Sequence, residues 1–258
     1  GLLKALKDKG LAVDTVGGSS MGAYIGALIA RGMMPSQVID IVREAFVRNN
    51  YLNDYSFSRL SLIRAKKFRQ MLEEVFGEML IEETQLPYFC VTTNLSKGQA
   101  VVHDSGRLSS WVGASMTVPG IAPPVVYQGD LLVDGGLINS LPSDIMQDRG
   151  RGLVIASDVS AEPELHFEGM GVPEPEQLER KGLARDMTLF KLLFRTTTLV
   201  SQEQAQLRAA NADCYLAMPV ADVGMFDWER MDEVIARAYD FASEQLDDFM
   251  SENSLKGH

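Results

Sequence analysis

Between Val13 and Ala30 the chain reads VDTVGGSSMGAYIGALIA: an apolar run, a serine bracketed by glycines, then a helical pattern. Read as strand, sharp turn and helix, Gly18-Ser19-Ser20-Met21-Gly22 fits the G-x-S-x-G turn, in which small flanking residues let the chain reverse and leave the central serine strained and exposed. Gly18 supplies backbone angles that a side chain forbids, and Gly22 lets the helix pack close to the strand. A helix that begins at Ser20 directs its unpaired N–H groups, that of Met21 among them, and its positive dipole end toward any oxyanion formed there. A glycine-rich turn with no chemistry has the same five letters. Strand before and helix after narrow the pattern to a candidate nucleophile.

The rest of the chain alternates helical and extended patterns. GLLKALKDKG opens it as the second half of an amphipathic helix with a glycine stop, and Pro35-Ser36 starts another helix with apolar positions Val38, Ile39, Ile41, Val42, Ala45 and Phe46. Ala65–Phe76 is a further amphipathic helix, Leu86–Asn94 and Gln99–His103 are strands, and Gly106–Met116 is a short helix with Trp111 inward. Three prolines make TVPGIAPPVV a fixed extended loop before a brief strand, Leu131–Val133, that runs into Asp134-Gly135-Gly136. A helix from Pro142 to Asp148, a strand from Gly152 to Val159, a long helix from Leu183 to Asn211, a strand at Cys214–Met218 and a closing helix from Trp228 to Phe249 complete the chain. Asn49–Ser58 and the acidic Ser160–Arg180 read as loops. This alternation predicts an α/β fold, a mainly parallel central sheet with helices on both faces. No internal repeat and no linker divides the 258 residues, so a single domain is expected.

An activated serine needs a base, usually histidine. The chain has three: His103 ends a strand and has the setting of a structural histidine, His166 lies in the acidic loop, and His258 is terminal. The order Ser20, Asp134, His166 matches that of α/β-hydrolase triads, but the turn of that fold follows several strands, and here it falls at residue 20. Asp134 is the better partner. It stands at the end of an apolar strand, where a parallel sheet gathers its functional groups, and Ser20 holds the equivalent place after its own strand. A carboxylate of ordinary pKa, roughly 4, is a weak base for a hydroxyl, so such a dyad needs burial to raise its basicity and donors for the oxyanion. Asp-Gly is also a common turn sequence, so Asp134 has a purely structural reading beside the chemical one.

A net charge of −11 without clustered Lys or Arg excludes a nucleic-acid surface and a polybasic membrane anchor. Cys90 and Cys214 sit in apolar strand-like runs with no ligand spacing around them, the pattern of reduced core cysteines in a cytoplasmic protein. No stretch approaches the roughly 18 apolar residues of a membrane span, which leaves only peripheral contact with a bilayer. MTLFKLLFRTTTLV (187–200) is too apolar for a one-faced surface helix. Burial on all sides is one reading, and the other puts Phe190 and Phe194 at an acyl pocket mouth in contact with lipid.

GGSSMGAYIGAL, ASMTVPGIAPPV and LLVDGGLINSLP, in that order, closely resemble the patatin-like phospholipases, and within them the neuropathy-target-esterase-like, lysophospholipase branch. The likeness runs from Gly1 to about Phe249. It implies a three-layer sandwich in which Ser20 is the nucleophile and Asp134 of the Asp-Gly-Gly motif its proton acceptor, with Gly18, Met21, Gly22, Gly135 and Gly136 supporting the motif and the oxyanion. It implies neither metal nor cofactor, and a phospholipid or lysophospholipid as substrate. The family's glycine-rich oxyanion loop and N-terminal strand precede the helix that opens this sequence, so the domain is expected to lack them. Two further readings stay open: a soluble carboxylesterase for short acyl chains, and a patatin scaffold that serves as a regulatory module without catalysis.

Overall fold

The structure is a computed structural model that describes residues 1–49, 61, 63–150, 152–160, 189–224 and 227–256. Its elements, in chain order, are α1 (Leu2–Asp8), β1 (Val16–Ser19), α2 (Met21–Ala30), α3 (Pro35–Val42), α4 (Lys66–Phe76), β2 (Tyr88–Asn94), β3 (Gln99–His103), α5 (Leu108–Ser115), β4 (Val125–Tyr127), β5 (Asp130–Asp134), α6 (Ser143–Asp148), β6 (Ile155–Asp158), α7 (Leu189–Ala209), β7 (Cys214–Ala217) and α8 (Met231–Lys256). These follow the expected order except for β4, which forms at the end of the stretch expected to be an extended loop, and α8, which runs past Phe249 to Lys256; the other ends among the described residues differ by a few residues. A π-helical turn at Arg43–Arg48 that prolongs α3 was not legible in the apolar spacing. The expected loops at 49–58 and 160–180 lie almost wholly outside the described residues.

The axis of the main sheet is β2, every residue of which is buried. Strand β3 runs antiparallel along one edge, with Cys90 opposite His103 and Asn94 opposite Gln99. The other edge is shared. β1 runs parallel along its first half, from Val16 opposite Tyr88 to Ser19 opposite Val91. β5 runs antiparallel along its second half, from Leu132 opposite Asn94 to Asp134 opposite Thr92. Since β3 already spans residues 90–94 on the first edge, β1 and β5 lie on the same edge and approach each other end to end, meeting at Val91–Thr92.

The α/β class is as expected, but the pairing is mixed rather than mainly parallel. Among the described strands only β1–β2 and β6–β7 pair in parallel. The reason lies in two short connections: four residues between β2 and β3, and Gln128-Gly129 between β4 and β5, can join only antiparallel neighbours. Gln128 and Gly129 both have positive φ, 51° and 84°, the backbone of a two-residue hairpin turn. By contrast β6 and β7, linked through the long helix α7, have the crossover that parallel pairing requires.

Alternation along β2 divides the packing. Tyr88 and Cys90 join a core with Tyr24, Ala27 and Leu28 of α2, Phe68, Met71 and Leu72 of α4, and Leu108 and Val112 of α5. Fully buried Tyr24 meets Phe46 and Phe76 edge-on, with ring centroids 5.9 and 5.8 Å away. One residue out of step, Phe89 carries the Arg149 guanidinium over its ring at 4.5 Å, just past α6, so helical elements cover both faces. A second cluster joins Ala5 and Leu6 of α1 to Leu216 of β7 and to Ala242 and Leu246 of α8. Between these bodies lies a cavity of about 830 Å³, lined by consecutive residues of both β1 and β6. Consecutive rather than alternate lining means that strand edges face it.

Candidate active site

Ser20 lies between β1 and α2 with φ 53° and ψ −124°, a backbone region that non-glycine residues avoid. The strain expected of the turn therefore falls on the serine itself. Gly18 is not in the positive-φ region; its role is close approach, because a Cβ there would overlap the Gly22 backbone. Gly22 differs from expectation too, since a Cβ on it would point into open space. The strand and helix come close because residue 18 lacks a side chain, not residue 22. Ser19, buried beside this turn, donates its hydroxyl to the Asn139 carbonyl at 2.5 Å.

Asp134 ends β5 and is 3% exposed. Its Oδ2 accepts the Ser20 hydroxyl at 2.6 Å, and its Oδ1 accepts the Gly136 N–H at 2.8 Å. Its own N–H donates to the Thr117 carbonyl at 3.0 Å, which ties β5 to the start of the proline-rich loop. Burial pushes the carboxyl up to about 6, against the opposing pull of the Ser20 and Gly136 hydrogen bonds. Gly135 is sterically required: a Cβ there would overlap the Val91 carbonyl oxygen, where the ends of β1 and β5 converge. A Cβ on Gly136 would stand 3.0 Å from Asp134 Oδ1.

Both side chains thus sit at the carboxyl ends of strands, as expected, but these strands point at each other instead of running side by side. The result is a half-buried hydroxyl held against a carboxylate of raised basicity, at the N-terminus of a helix. Met21 begins that helix, and its N–H has no carbonyl four residues back within it to accept a bond.

His103 is occupied elsewhere. Its Nε2 shares a 2.7 Å hydrogen bond with Thr92 Oγ1, its ring stacks on Trp111 at 3.8 Å, and burial pushes its pKa down to about 4. His166 and His258 lie outside the described residues. Both cysteines are free and buried, and burial pushes the Cys90 thiol up to about 12. Among the described residues no group of three or more His, Cys, Asp or Glu could hold a metal ion, and no helix is long and apolar enough to cross a membrane.

Sequence reasoning missed Ser115. The Ser20 N–H donates to Ser115 Oγ at 2.9 Å, and the Ser115 hydroxyl donates to the Val91 carbonyl at 2.6 Å. The signal lay within ASMTVPG, where a lone serine ends an otherwise apolar helix face, but only the pairing of β1 with β2 reveals what it touches.

With this geometry in place, comparison with known proteins identifies the surroundings. Residues 1–146 match the Patatin-like phospholipase family. Lysophospholipase nte1 of Aspergillus niger is 27% identical over 267 residues, covering 99% of this chain and 17% of that protein. A patatin-like phospholipase domain-containing protein of Caenorhabditis elegans is 30% identical over 260 residues, 91% of this chain and 18% of that protein. Patatin-like phospholipase domain-containing protein 6 of Homo sapiens is 39% identical over 177 residues, 66% of this chain and 13% of that protein. The chain therefore spans less than a fifth of the length of these relatives.

Proposed function

The chain belongs to the patatin-like phospholipase family, and on that premise we propose that it is a serine lipid acyl hydrolase acting through a Ser20–Asp134 dyad. The observation that carries this reading is the 2.6 Å hydrogen bond from the Ser20 hydroxyl to Asp134 Oδ2 at a strained strand-to-helix turn. The names of its relatives point to a lysophospholipid or phospholipid as substrate.

Ser20 Oγ attacks the ester carbonyl while Asp134 Oδ2 takes the hydroxyl proton. A carboxyl at about 6 is still ionised at neutral pH, yet is a stronger base than an ordinary aspartate. The bond from Gly136 to Oδ1 keeps the other oxygen turned toward Ser20. Charge on the carbonyl oxygen develops at the N-terminus of α2, where the Met21 N–H and the helix dipole favour it. The tetrahedral intermediate collapses, protonated Asp134 returns its proton to the leaving alcohol, and acyl-Ser20 remains. Water, deprotonated by Asp134, then attacks the acyl carbon; collapse breaks the acyl–Oγ bond, protonated Asp134 returns its proton to Ser20 Oγ, and the fatty acid leaves. No histidine enters the sequence of steps.

Contact with lipid is peripheral in this reading. Leu192, Leu199 and Leu207 of α7 are exposed, and their spacing of seven and eight residues sets them on one helix face. Phe190 and Phe194, singled out from the sequence, have side chains outside the described ones.

The direct test incubates the chain with a fluorophosphonate probe and, separately, with lysophosphatidylcholine and a short-chain soluble ester. A covalent adduct on Ser20 and fatty-acid release that increases with acyl length are expected. No adduct and no release would favour the non-catalytic scaffold, and preference for the short ester would favour the carboxylesterase.

A further inference from the structure

We propose that Ser115 is a positioning residue for the nucleophile: its hydroxyl replaces the last rung of the β1–β2 ladder and thereby holds Ser20 at the point where the chain leaves the sheet. The inference rests on the Ser20–Asp134 reading of the site. The Val16 N–H donates to the Pro87 carbonyl, and in a parallel ladder alternate residues of one strand face the same neighbour. Gly18 and then Ser20 are the next amides directed at β2, and Ser19 pairs with Val91. The rung that should close the ladder therefore runs from the Ser20 N–H to the Val91 carbonyl.

That rung is made through Ser115 instead. Its Oγ accepts from Ser20 at 2.9 Å and donates to Val91 at 2.6 Å, so two hydrogen bonds in series span a gap that one would otherwise close. The spacer has a purpose at this place. Asp134 arrives opposite Thr92 from the other end of the same edge, with Gly135 packed on the Val91 carbonyl. A direct Ser20–Val91 bond would draw the nucleophile toward β2, into the space where the β5 end turns. The hydroxyl satisfies both backbone groups while leaving Ser20 about one hydroxyl's width further out, at its positive φ and within reach of Asp134. Ser115 is completely buried and ends α5, so its own position is fixed by the core.

Without the hydroxyl, the Ser20 amide either loses its partner or falls back on Val91. Both outcomes move Oγ relative to Asp134 without touching the surface that receives substrate. Misplacement on that scale lowers turnover by roughly tenfold to a hundredfold, so Ser115→Ala should reduce kcat by that factor, with KM within about twofold and slower fluorophosphonate labelling of Ser20. Ser109→Ala, which removes another buried hydroxyl from the same helix, should leave both rates unchanged even where it lowers the melting temperature. Ser115→Cys fills the same space with a weak donor and acceptor, and should fold and still be slow. It carries the test where the alanine variant fails to fold. Wild-type kcat in either folded Ser115 variant, or an equal loss in Ser109→Ala, would overturn the role of Ser115. Absence of Ser20 labelling in the unmodified chain would instead overturn the dyad on which it rests.

Discussion

Ser20 and Asp134 are 114 residues apart in sequence, yet occupy facing tips of two oppositely directed strands on one edge of β2. Neither strand carries the pair alone: β1 delivers the hydroxyl at Val91 and β5 delivers the carboxylate at Thr92. The contact is thus fixed by register, and a shift of one residue in either strand would separate the pair by over 3 Å.

The first expectation concerns Ser20. Ser20→Gly should abolish probe labelling and ester turnover. Its melting temperature should nonetheless match or exceed that of Ser20→Ala, because glycine takes φ 53° freely whereas alanine keeps the strain, on the order of 1 to 3 kcal/mol. Thermal unfolding of both variants side by side measures this. An alanine variant more stable than the glycine one would mean that the turn is not strained.

Asp134→Asn separates function from stability. The carboxyl is raised from 3.8 to about 6 in the fold, so the native state holds its proton more tightly than the unfolded chain does. That contribution is fully present below about pH 4 and is lost as pH rises through about 6. At neutral pH the ionised group then weighs against folding by about 3 kcal/mol, which a neutral asparagine does not. The variant should lose about a hundredfold or more in kcat, be more stable than wild type in urea at pH 7.5, and lose that advantage at pH 4. Equal stability at both values would contradict a burial-raised carboxyl.

On the proposed mechanism the same carboxyl should set the pH profile. With Asp134 as base, kcat/KM should increase as pH rises through about 6 and then level off, and Asp134→Asn should abolish that step. His103, pushed down to about 4 and bonded to Thr92, should leave no mark on the profile above pH 5. His166→Ala should leave kcat unchanged; a loss as large as that of Asp134→Asn would favour a triad.

Much of this was legible from residues alone. The strand, turn and helix around Ser20, the existence of strand β2, the aspartate at a strand end and the structural setting of His103 all follow from apolar periodicity and glycine placement. What was not legible depended on register. The sequence of β5 contains nothing that says it abuts β1 on a shared edge, and a serine at position 115 has no meaning until Val91 and Ser20 stand on either side of it. The glycines were misassigned for the same reason. Local turn chemistry pointed at the backbone angles of Gly18 and the packing of Gly22, whereas the positive φ belongs to Ser20, the residue expected to be strained, and the close approach is at residue 18. Sheet polarity was misjudged because apolar runs mark strands without giving their direction.

A lipid-facing role for α7 predicts a split between substrates. Replacing Leu192, Leu199 and Leu207 with serine removes exposed apolar surface without opening a core cavity, since these side chains are 49%, 50% and 65% exposed. Fatty-acid release from vesicles should fall several-fold while hydrolysis of a short soluble ester is unchanged. Equal rates on vesicles in wild type and variant would assign membrane contact to another surface.

The two glycines that flank the Ser20–Asp134 contact, Gly22 after Ser20 and Gly135 after Asp134, should respond oppositely to alanine. A methyl at residue 22 meets nothing within 4 Å and stands in the first turn of α2, where alanine is the better helix former. Gly22→Ala should therefore leave the melting temperature unchanged or slightly raised, by a gain of about 0.5 to 1 kcal/mol at most. A methyl at residue 135 would collide with the Val91 carbonyl, a backbone group held by Ser115 and unable to swing aside as a side chain could. Gly135→Ala must push the β5 tip away from β2, stretching the Ser20–Asp134 contact and exposing buried polar groups. It should cost at least about 2 kcal/mol, as overpacking a rigid site does. Its residual soluble protein should label slowly at Ser20. Equal thermal stability of the two variants would show that β1 and β5 do not converge on Val91.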